Sequence, residues 1–171
     1  MGLAMRISGC AIALSLVLGI GGPLSATPAE AQWSPGVGIG LLGNTPDGTA
    51  PALNLNADYV VGPQFSLGPL AQLAVTSDLF QLGLSGQVKY WLDASWLLKR
   101  TRANIQGGIG FVHANFLTAD TSWLIPLGVG LDYPLTSRMG LGATFLLNLT
   151  DLDTSGGNTN VMPGFTIGLR F

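Results

Sequence analysis

From residue 37 to the end of the chain, apolar and polar side chains alternate with a period of two. Successive side chains of a β-strand point to opposite faces, so this period predicts strands with one apolar and one polar face. After residue 31 no stretch approaches the ~18 apolar residues that a membrane helix needs. The chain is therefore predicted to be all-β. The alternating segments cover residues 37–41, 53–61, 65–76, 80–90, 103–111, 122–133, 139–150 and 161–171.

The low charge of these segments excludes most water-soluble folds. Charged residues make up 9% of the chain, against roughly 25% in a typical soluble domain. A soluble sandwich or lipocalin would carry Lys and Glu on its polar face, whereas the polar positions here are mostly Gly, Asn, Gln, Ser and Thr. Most segments are long enough for a tilted strand to cross a bilayer, which takes roughly 9–11 residues. We predict a single eight-stranded antiparallel transmembrane β-barrel, an up-and-down meander, over residues 32–171.

Residues 1–31 have the features of a cleaved signal peptide. Arg6 supplies the positive charge, residues 10–20 form an apolar run, and Ala29-Glu30-Ala31 fits the cleavage pattern. An uncleaved anchor is the alternative. Acylation at Cys10 is disfavoured because the acylation box would precede the apolar run instead of following it. Cleavage would leave a mature chain that begins at Gln32 and contains no cysteine.

The glycine positions predict a narrow lumen. By strand parity only Gly86 and Gly107 fall on the apolar side. The interior of an eight-stranded barrel is just wide enough for side chains, so small inward residues are a geometric need. A wide aqueous pore is therefore not expected of a monomer. The glycines on the polar side are Gly36, Gly38, Gly40, Gly68, Gly83, Gly108, Gly110, Gly128, Gly130, Gly140, Gly142, Gly164 and Gly168.

The connections and the aromatic residues predict the orientation of the barrel. Short periplasmic turns and longer outer loops are typical of bacterial outer-membrane barrels. With both termini inside, the predicted inner turns are residues 62–63, 93–101 and 136–138, and the predicted outer loops are residues 43–51, 77–78, 117–121 and 151–160. The longest inner turn carries Trp96, Leu97 and Leu98, which are expected in the membrane interface. A periplasmic aromatic girdle is predicted at Tyr59, Phe65, Tyr90, Tyr133 and Phe171.

Two stretches resemble small bacterial outer-membrane proteins. Gly164 to Phe171 resembles their terminal strand, and residues 128–141 resemble the strand–turn–strand of OmpA/OmpX/OmpW-like β-barrel domains. The resemblance implies location in the bacterial outer membrane, contact with outer-membrane lipid and lipopolysaccharide, and recognition by the barrel-assembly machinery. In that family the assembly signal is an alternating apolar strand with a terminal aromatic residue. In this chain the matching residues are Phe165, Ile167, Leu169 and Phe171.

Charged residues on the inward parity predict an ionic plug at the periplasmic end of the lumen. A charge that faced lipid or stood unpaired in a narrow lumen would be costly, so the cations and anions are expected to pair across it. The alternative is that Arg102 and Arg170 extend to the periplasmic interface. The predicted network consists of Asp58, Lys89, Arg102, Asp132 and Arg170.

Acidic residues predominate at the outer end. The predicted outer loops contain Asp47, Asp78, Asp120, Asp151 and Asp153, and they contain no Lys or Arg. One hypothesis is that they meet divalent cations at the lipopolysaccharide surface or repel anions; the alternative is that they only aid solubility. Residues 151–156 resemble the first half of a calcium loop, but Met162 stands where the bidentate Glu is expected. No metal site or cofactor is predicted.

Two function classes remain open, and binding of nucleic acid is disfavoured by the net charge of −2. The first is a structural, envelope-integrity barrel with a closed lumen, expected to be a monomer. The second is a narrow channel or pocket for small solutes, including apolar ones, because OmpW-like barrels are similar in having an apolar lumen. The residues that motivate it are Val112, Leu124, Leu146 and Met162, which point inward near the outer mouth.

A lipid A-modifying enzyme is the remote alternative. His113 is the only histidine, and it lies on the apolar face, where no Asp, Glu, Lys or Arg is found. Eight-stranded lipid A deacylases have an outward His with a nucleophilic Ser two positions later, and this chain has Asn115 there. Asp120 and Ser122 lie across the hairpin, but nothing in the sequence requires them to approach His113. We therefore expect no catalysis.

Overall fold

The computed structural model describes residues 33–154 and 157–171, which form a closed antiparallel barrel. Each strand pairs with its neighbours in sequence, and the last strand pairs with the first. The predicted fold class is therefore confirmed, whereas the predicted signal peptide lies outside the described residues. The strands are β1 (Trp33–Thr45), β2 (Gly48–Val60), β3 (Phe65–Val75), β4 (Phe80–Asp93), β5 (Arg102–Asn115), β6 (Ala119–Pro134), β7 (Gly140–Thr154) and β8 (Gly157–Arg170). Within these ranges no helix is long and apolar enough to cross a membrane.

Burial in this barrel is the reverse of that in a water-soluble protein. The outward side chains Ile39 and Ile109 are 69% and 72% exposed, while the inward Gln81 and Asn148 are 3% and 1% exposed. The alternation in the sequence produces this arrangement because each strand places successive side chains on opposite faces. The outer surface is consequently an apolar belt, and the lumen is lined mainly by polar side chains.

Inward glycines allow the strands to surround a narrow lumen. A Cβ added to Gly110 would lie 1.9 Å from the backbone oxygen of Leu84, whereas a Cβ on the outward Gly86 would meet nothing within 4 Å. Gly40 and Gly68 show similar close approaches to backbone oxygens. The expectation that small residues are needed on the inner face is met at these positions.

The ends of the barrel differ from the prediction. We call the end at which β1 starts and β8 finishes the inner end, and the opposite end the outer end. The predicted outer loop at 43–51 is wrong, because Pro46 and Asp47 alone connect β1 to β2. The predicted loop at 151–160 is also mostly strand, since β7 extends to Thr154 and β8 starts at Gly157. The longest connection is residues 94–101, at the inner end.

Turn-forming residues explain the error in the first loop. The β1–β2 register shifts between Leu42 and Thr45, which marks a bulge, and Asn44 and Gly48 have positive φ angles of 54° and 84°. Asn and Gly tolerate this left-handed conformation. These residues therefore form a bulge and a tight hairpin instead of a long loop.

Candidate functional site

Two ion pairs cross the inner end of the lumen. Lys89 Nζ lies 2.8 Å from Asp58 Oδ2, and Arg170 Nη2 lies 2.6 Å from Asp132 Oδ2. The four residues come from β4, β2, β8 and β6, and strand parity points each side chain inward. We call these residues the inner ion cluster. Its anions are nearly excluded from solvent, with side-chain exposures of 1% for Asp58 and 7% for Asp132.

Arg102 does not join the inner ion cluster as the sequence predicts. Among the described residues no carboxylate oxygen lies within 4.0 Å of its guanidinium. Instead it donates a 2.8 Å hydrogen bond to the backbone oxygen of Pro63, and its side chain is exposed at the rim. This position agrees with the alternative in which Arg102 extends to the interface.

Trp91 lies beside the inner ion cluster, one inward position nearer the inner end of β4 than Lys89. It was not identified from the sequence. Its ring is 6% exposed, and its Nε1–H donates a 2.8 Å hydrogen bond to Ser66 Oγ. The guanidinium carbons of Arg102 and Arg170 lie 4.9 Å and 4.7 Å from the ring centroid, within cation–π range. Extending the β4 alternation by one residue beyond Tyr90 would have placed this ring inward.

Apolar side chains fill the outer end of the lumen. Val112, Leu124 and Met162 are each 1% exposed and belong to one cluster. Leu146 is also buried but lies outside this cluster, one inward position nearer the inner end than Asn148. The cluster, which we call the outer apolar cluster, consists of Leu42, Ala50, Ala74, Leu79, Val112, Ala114, Leu124, Leu152 and Met162.

A layer of amides separates the two ends of the lumen. Asn54, Gln87, Asn104 and Gln106 line a cavity of about 70 Å³, together with Leu146. Within the described part of the chain, Gln87 Nε2 and Asn104 Oδ1 are buried without a hydrogen-bond partner. A polar chamber of this size has room for a few water molecules but not for a sizeable solute.

The predicted girdle residues lie at the inner ends of their strands. Phe65 and Tyr90 are paired in register, with ring centroids 5.0 Å apart, and Tyr59 packs edge-on against Trp33 at 5.2 Å. Trp33 is thus a further residue of the girdle, one that was not predicted from the sequence. Tyr133 and Phe171 are partly exposed at the same end. The predicted assembly-signal residues Phe165, Ile167, Leu169 and Phe171 all face outward and are between 37% and 53% exposed.

The other polar candidates lie near the outer end. His113 Nδ1 and Thr121 Oγ1 are hydrogen-bonded at 2.7 Å. Asp120 accepts hydrogen bonds from the backbone N–H groups of Thr121 and Asp153. Asp151 and Asp153 lie in β7 and not in a loop, which corrects the prediction.

Within residues 33–154 and 157–171, no three His, Cys, Asp or Glu side chains group in a way that could hold a metal ion. Ser155 and Gly156, the end of the calcium-loop resemblance, lie outside the described residues.

A closed barrel with an apolar outer belt and an enclosed polar lumen defines a membrane-spanning β-barrel protein. No protein-family model matches the sequence, and no curated protein matches it. Solved structures, however, include several barrels with the same architecture.

Three of these structures come from bacterial outer-membrane or surface proteins. Neisserial surface protein A is 15% identical with a TM-score of 0.58, and the match covers 81% of this chain and 94% of that one. The N-terminal β-barrel domain of Pseudomonas aeruginosa OprF is 14% identical with a TM-score of 0.57, covering 82% and 98%. Ail, the attachment invasion locus protein of Yersinia pestis, is 11% identical with a TM-score of 0.52, covering 81% and 96%. The chain thus has the fold of the small outer-membrane β-barrels that its sequence resembles.

Proposed function

We propose that this chain is an integral protein of the bacterial outer membrane with a closed lumen and a structural role in the envelope. The observation that carries the proposal is that the lumen is obstructed at two levels. The outer apolar cluster fills one end, and the inner ion cluster with Trp91 spans the other. A hydrated ion would have to displace both. The chamber between them is small and lined by amides.

Conductance in planar bilayers tests the closed lumen. Protein is first shown to be folded by heat-modifiable migration on SDS gels, and a porin of known conductance serves as the control in the same bilayer. We expect no channel openings from the folded chain. Stepwise openings would overturn the closed lumen and favour the narrow-channel alternative. That alternative has weaker support, because Val112, Leu124 and Met162, three of the four apolar side chains that motivated it, belong to the packed outer apolar cluster.

Export and assembly follow from the same proposal. Residues 1–31 would direct export, and the barrel-assembly machinery would read the outward terminal strand that ends at Phe171. The outer surface would contact lipid and lipopolysaccharide as a monomer. Replacing Phe171 with Ser should lower the amount of protein recovered in outer-membrane fractions. An unchanged amount would remove Phe171 from the assembly signal.

We do not propose catalysis for His113. It is hydrogen-bonded to a threonine hydroxyl on an exposed strand pair. Within the described residues no carboxylate is hydrogen-bonded to the imidazole to orient it as a general base, as the third member of a catalytic triad would. Release of acyl chains from lipid A by purified protein, abolished by His113→Ala, would contradict this proposal. No release from either protein is expected.

A further inference from the structure

The connection between β4 and β5 carries a solvent-exposed apolar tip. Trp96, Leu97 and Leu98 are consecutive and are 83%, 56% and 56% exposed. The connection is nevertheless folded, because Ala94 N–H donates to the oxygen of Thr101 at 3.1 Å and Leu97 N–H donates to the oxygen of Ala94 at 2.9 Å. Consecutive large apolar side chains on an ordered turn are unfavourable in water and indicate a surface that meets another phase.

The tip is continuous with the apolar belt of the barrel. Leu92 is the last outward apolar residue of β4 and is 43% exposed. The preceding outward residue of β4 is Tyr90, which packs against Phe65 in the inner aromatic girdle. Tryptophan and leucine side chains just beyond such a girdle are suited to the interface between acyl chains and headgroups. The phase that the tip meets is therefore the same membrane leaflet that surrounds the inner strand ends.

A basic cleft lies beside the tip. Its volume is about 360 Å³, and Arg100, Thr101 and Arg102 line it together with Pro63, Gln64 and Ser95. The Thr101 side chain is 4% exposed, and its hydroxyl has no hydrogen-bond partner within the described ranges. Asp93 also borders the cleft, but its Oδ1 accepts hydrogen bonds from the backbone N–H and the hydroxyl of Ser95.

The charges around the cleft favour an anion. Arg100 and Arg102 outnumber the single carboxylate of Asp93, and Lys99 is adjacent in sequence. Guanidinium groups are the donors that phosphate oxygens accept from most readily. The cleft thus fits a phosphate group, and the neighbouring tip fits the acyl region of the molecule that bears it.

We propose that this surface binds an anionic phospholipid of the periplasmic leaflet. The tip inserts among the acyl chains, and the lipid phosphate occupies the cleft between Arg100 and Arg102. The proposal rests on the membrane location proposed above and on the orientation predicted from the sequence, with both termini of the barrel on the periplasmic side. Continuity with the apolar belt favours a membrane lipid over a soluble phosphate compound or a periplasmic protein.

Lipid retention measured by native mass spectrometry tests the proposal. The full chain is reconstituted in vesicles of phosphatidylcholine with phosphatidylglycerol as a minor component, and the lipids that stay bound are counted. We expect wild type to retain phosphatidylglycerol preferentially. Arg100→Gln should reduce that preference about fivefold, as expected for one basic residue beside anionic lipid. Trp96→Ser should reduce the retention of both lipids.

Arg138→Gln is the matched control, since Arg138 is exposed in another inner turn away from the cleft. An equal loss of preference in this variant would indicate a general charge effect and overturn the cleft. Equal retention of both lipids by wild type would also overturn it. Competition by soluble glycerol phosphate at the lipid's own concentration would assign the cleft to a soluble anion instead. Heat-modifiable migration of every variant keeps a failure of the barrel distinct from a failure of the lipid site.

Discussion

Lys89 Nζ lies 2.8 Å from Asp58 Oδ2, and the pair spans the width of β3 inside the lumen. Lys89 is in register with Ser66 of β3, so its side chain reaches past that strand to β2. Asp58 also accepts a 3.0 Å hydrogen bond from Asn56 Nδ2 through the same oxygen. At the inner end of the barrel, side-chain contacts thus connect the strands in addition to the backbone hydrogen bonds between them.

Asp58→Asn should destabilise the barrel by about 3 kcal/mol, because it leaves Lys89 charged and unpaired in an enclosed site. Asp58→Asn combined with Lys89→Met should be closer to wild type than Asp58→Asn alone, since no buried charge then lacks a partner. The measurement is urea unfolding in lipid vesicles, followed by tryptophan fluorescence. If the double variant were as unstable as the sum of both single variants, the pair would have no energetic coupling.

Leu124→Ala should destabilise the barrel more than Leu127→Ala does. Both changes lose the transfer free energy of the deleted carbons, about 2 kcal/mol. Leu124 is 1% exposed inside the outer apolar cluster, whereas Leu127 is 45% exposed on the belt. Only the lumen variant leaves a cavity, which should raise its cost to about 4 kcal/mol. Lipid fills the space at Leu127. Equal unfolding midpoints would contradict the outer apolar cluster as a packed plug.

The strands and their faces could be predicted from the sequence, because apolar and polar residues that alternate with a period of two over a whole segment indicate a β-strand with one apolar and one polar face. The inward polar positions, such as Gln81 and Asn148, are buried as their parity requires. Closure into a barrel also followed, since a membrane leaves no water to satisfy an open edge.

Contacts across the lumen could not be predicted in the same way. They depend on the register between strands, whereas parity determines only the face on which a side chain lies. Parity placed Arg102 inward, yet its hydrogen bond to Pro63 holds it at the rim. Leu146 was grouped with Leu124 by parity, but its register position lies nearer the amide layer. Leu79 in the outer apolar cluster precedes its strand and carried no alternation signal.

Gly110→Ala should destabilise the barrel by about 1–3 kcal/mol, the usual cost of overpacking. The added Cβ would lie 1.9 Å from the backbone oxygen of Leu84, so β4 and β5 would have to shift apart. Gly86→Ala is the control on the outward face, where a Cβ meets nothing within 4 Å. It should unfold at the same urea concentration as wild type or at a higher one. A destabilised Gly86→Ala variant with an unaffected Gly110→Ala variant would show that the two faces are assigned the wrong way round.

Trp91 should stabilise the inner end through two separable interactions. Ser66→Ala removes the acceptor of its indole N–H and should cost about 1 kcal/mol. Trp91→Phe removes that hydrogen bond and also weakens the attraction of the ring for Arg102 and Arg170, which adds roughly 0.5–1 kcal/mol. Trp91→Leu has no π face and should be the least stable of the three. Urea unfolding in vesicles, followed by far-UV circular dichroism because a tryptophan is altered, gives the order. Equal stability of Trp91→Phe and Trp91→Leu would mean that the ring contributes packing alone and that the two guanidinium contacts add nothing measurable.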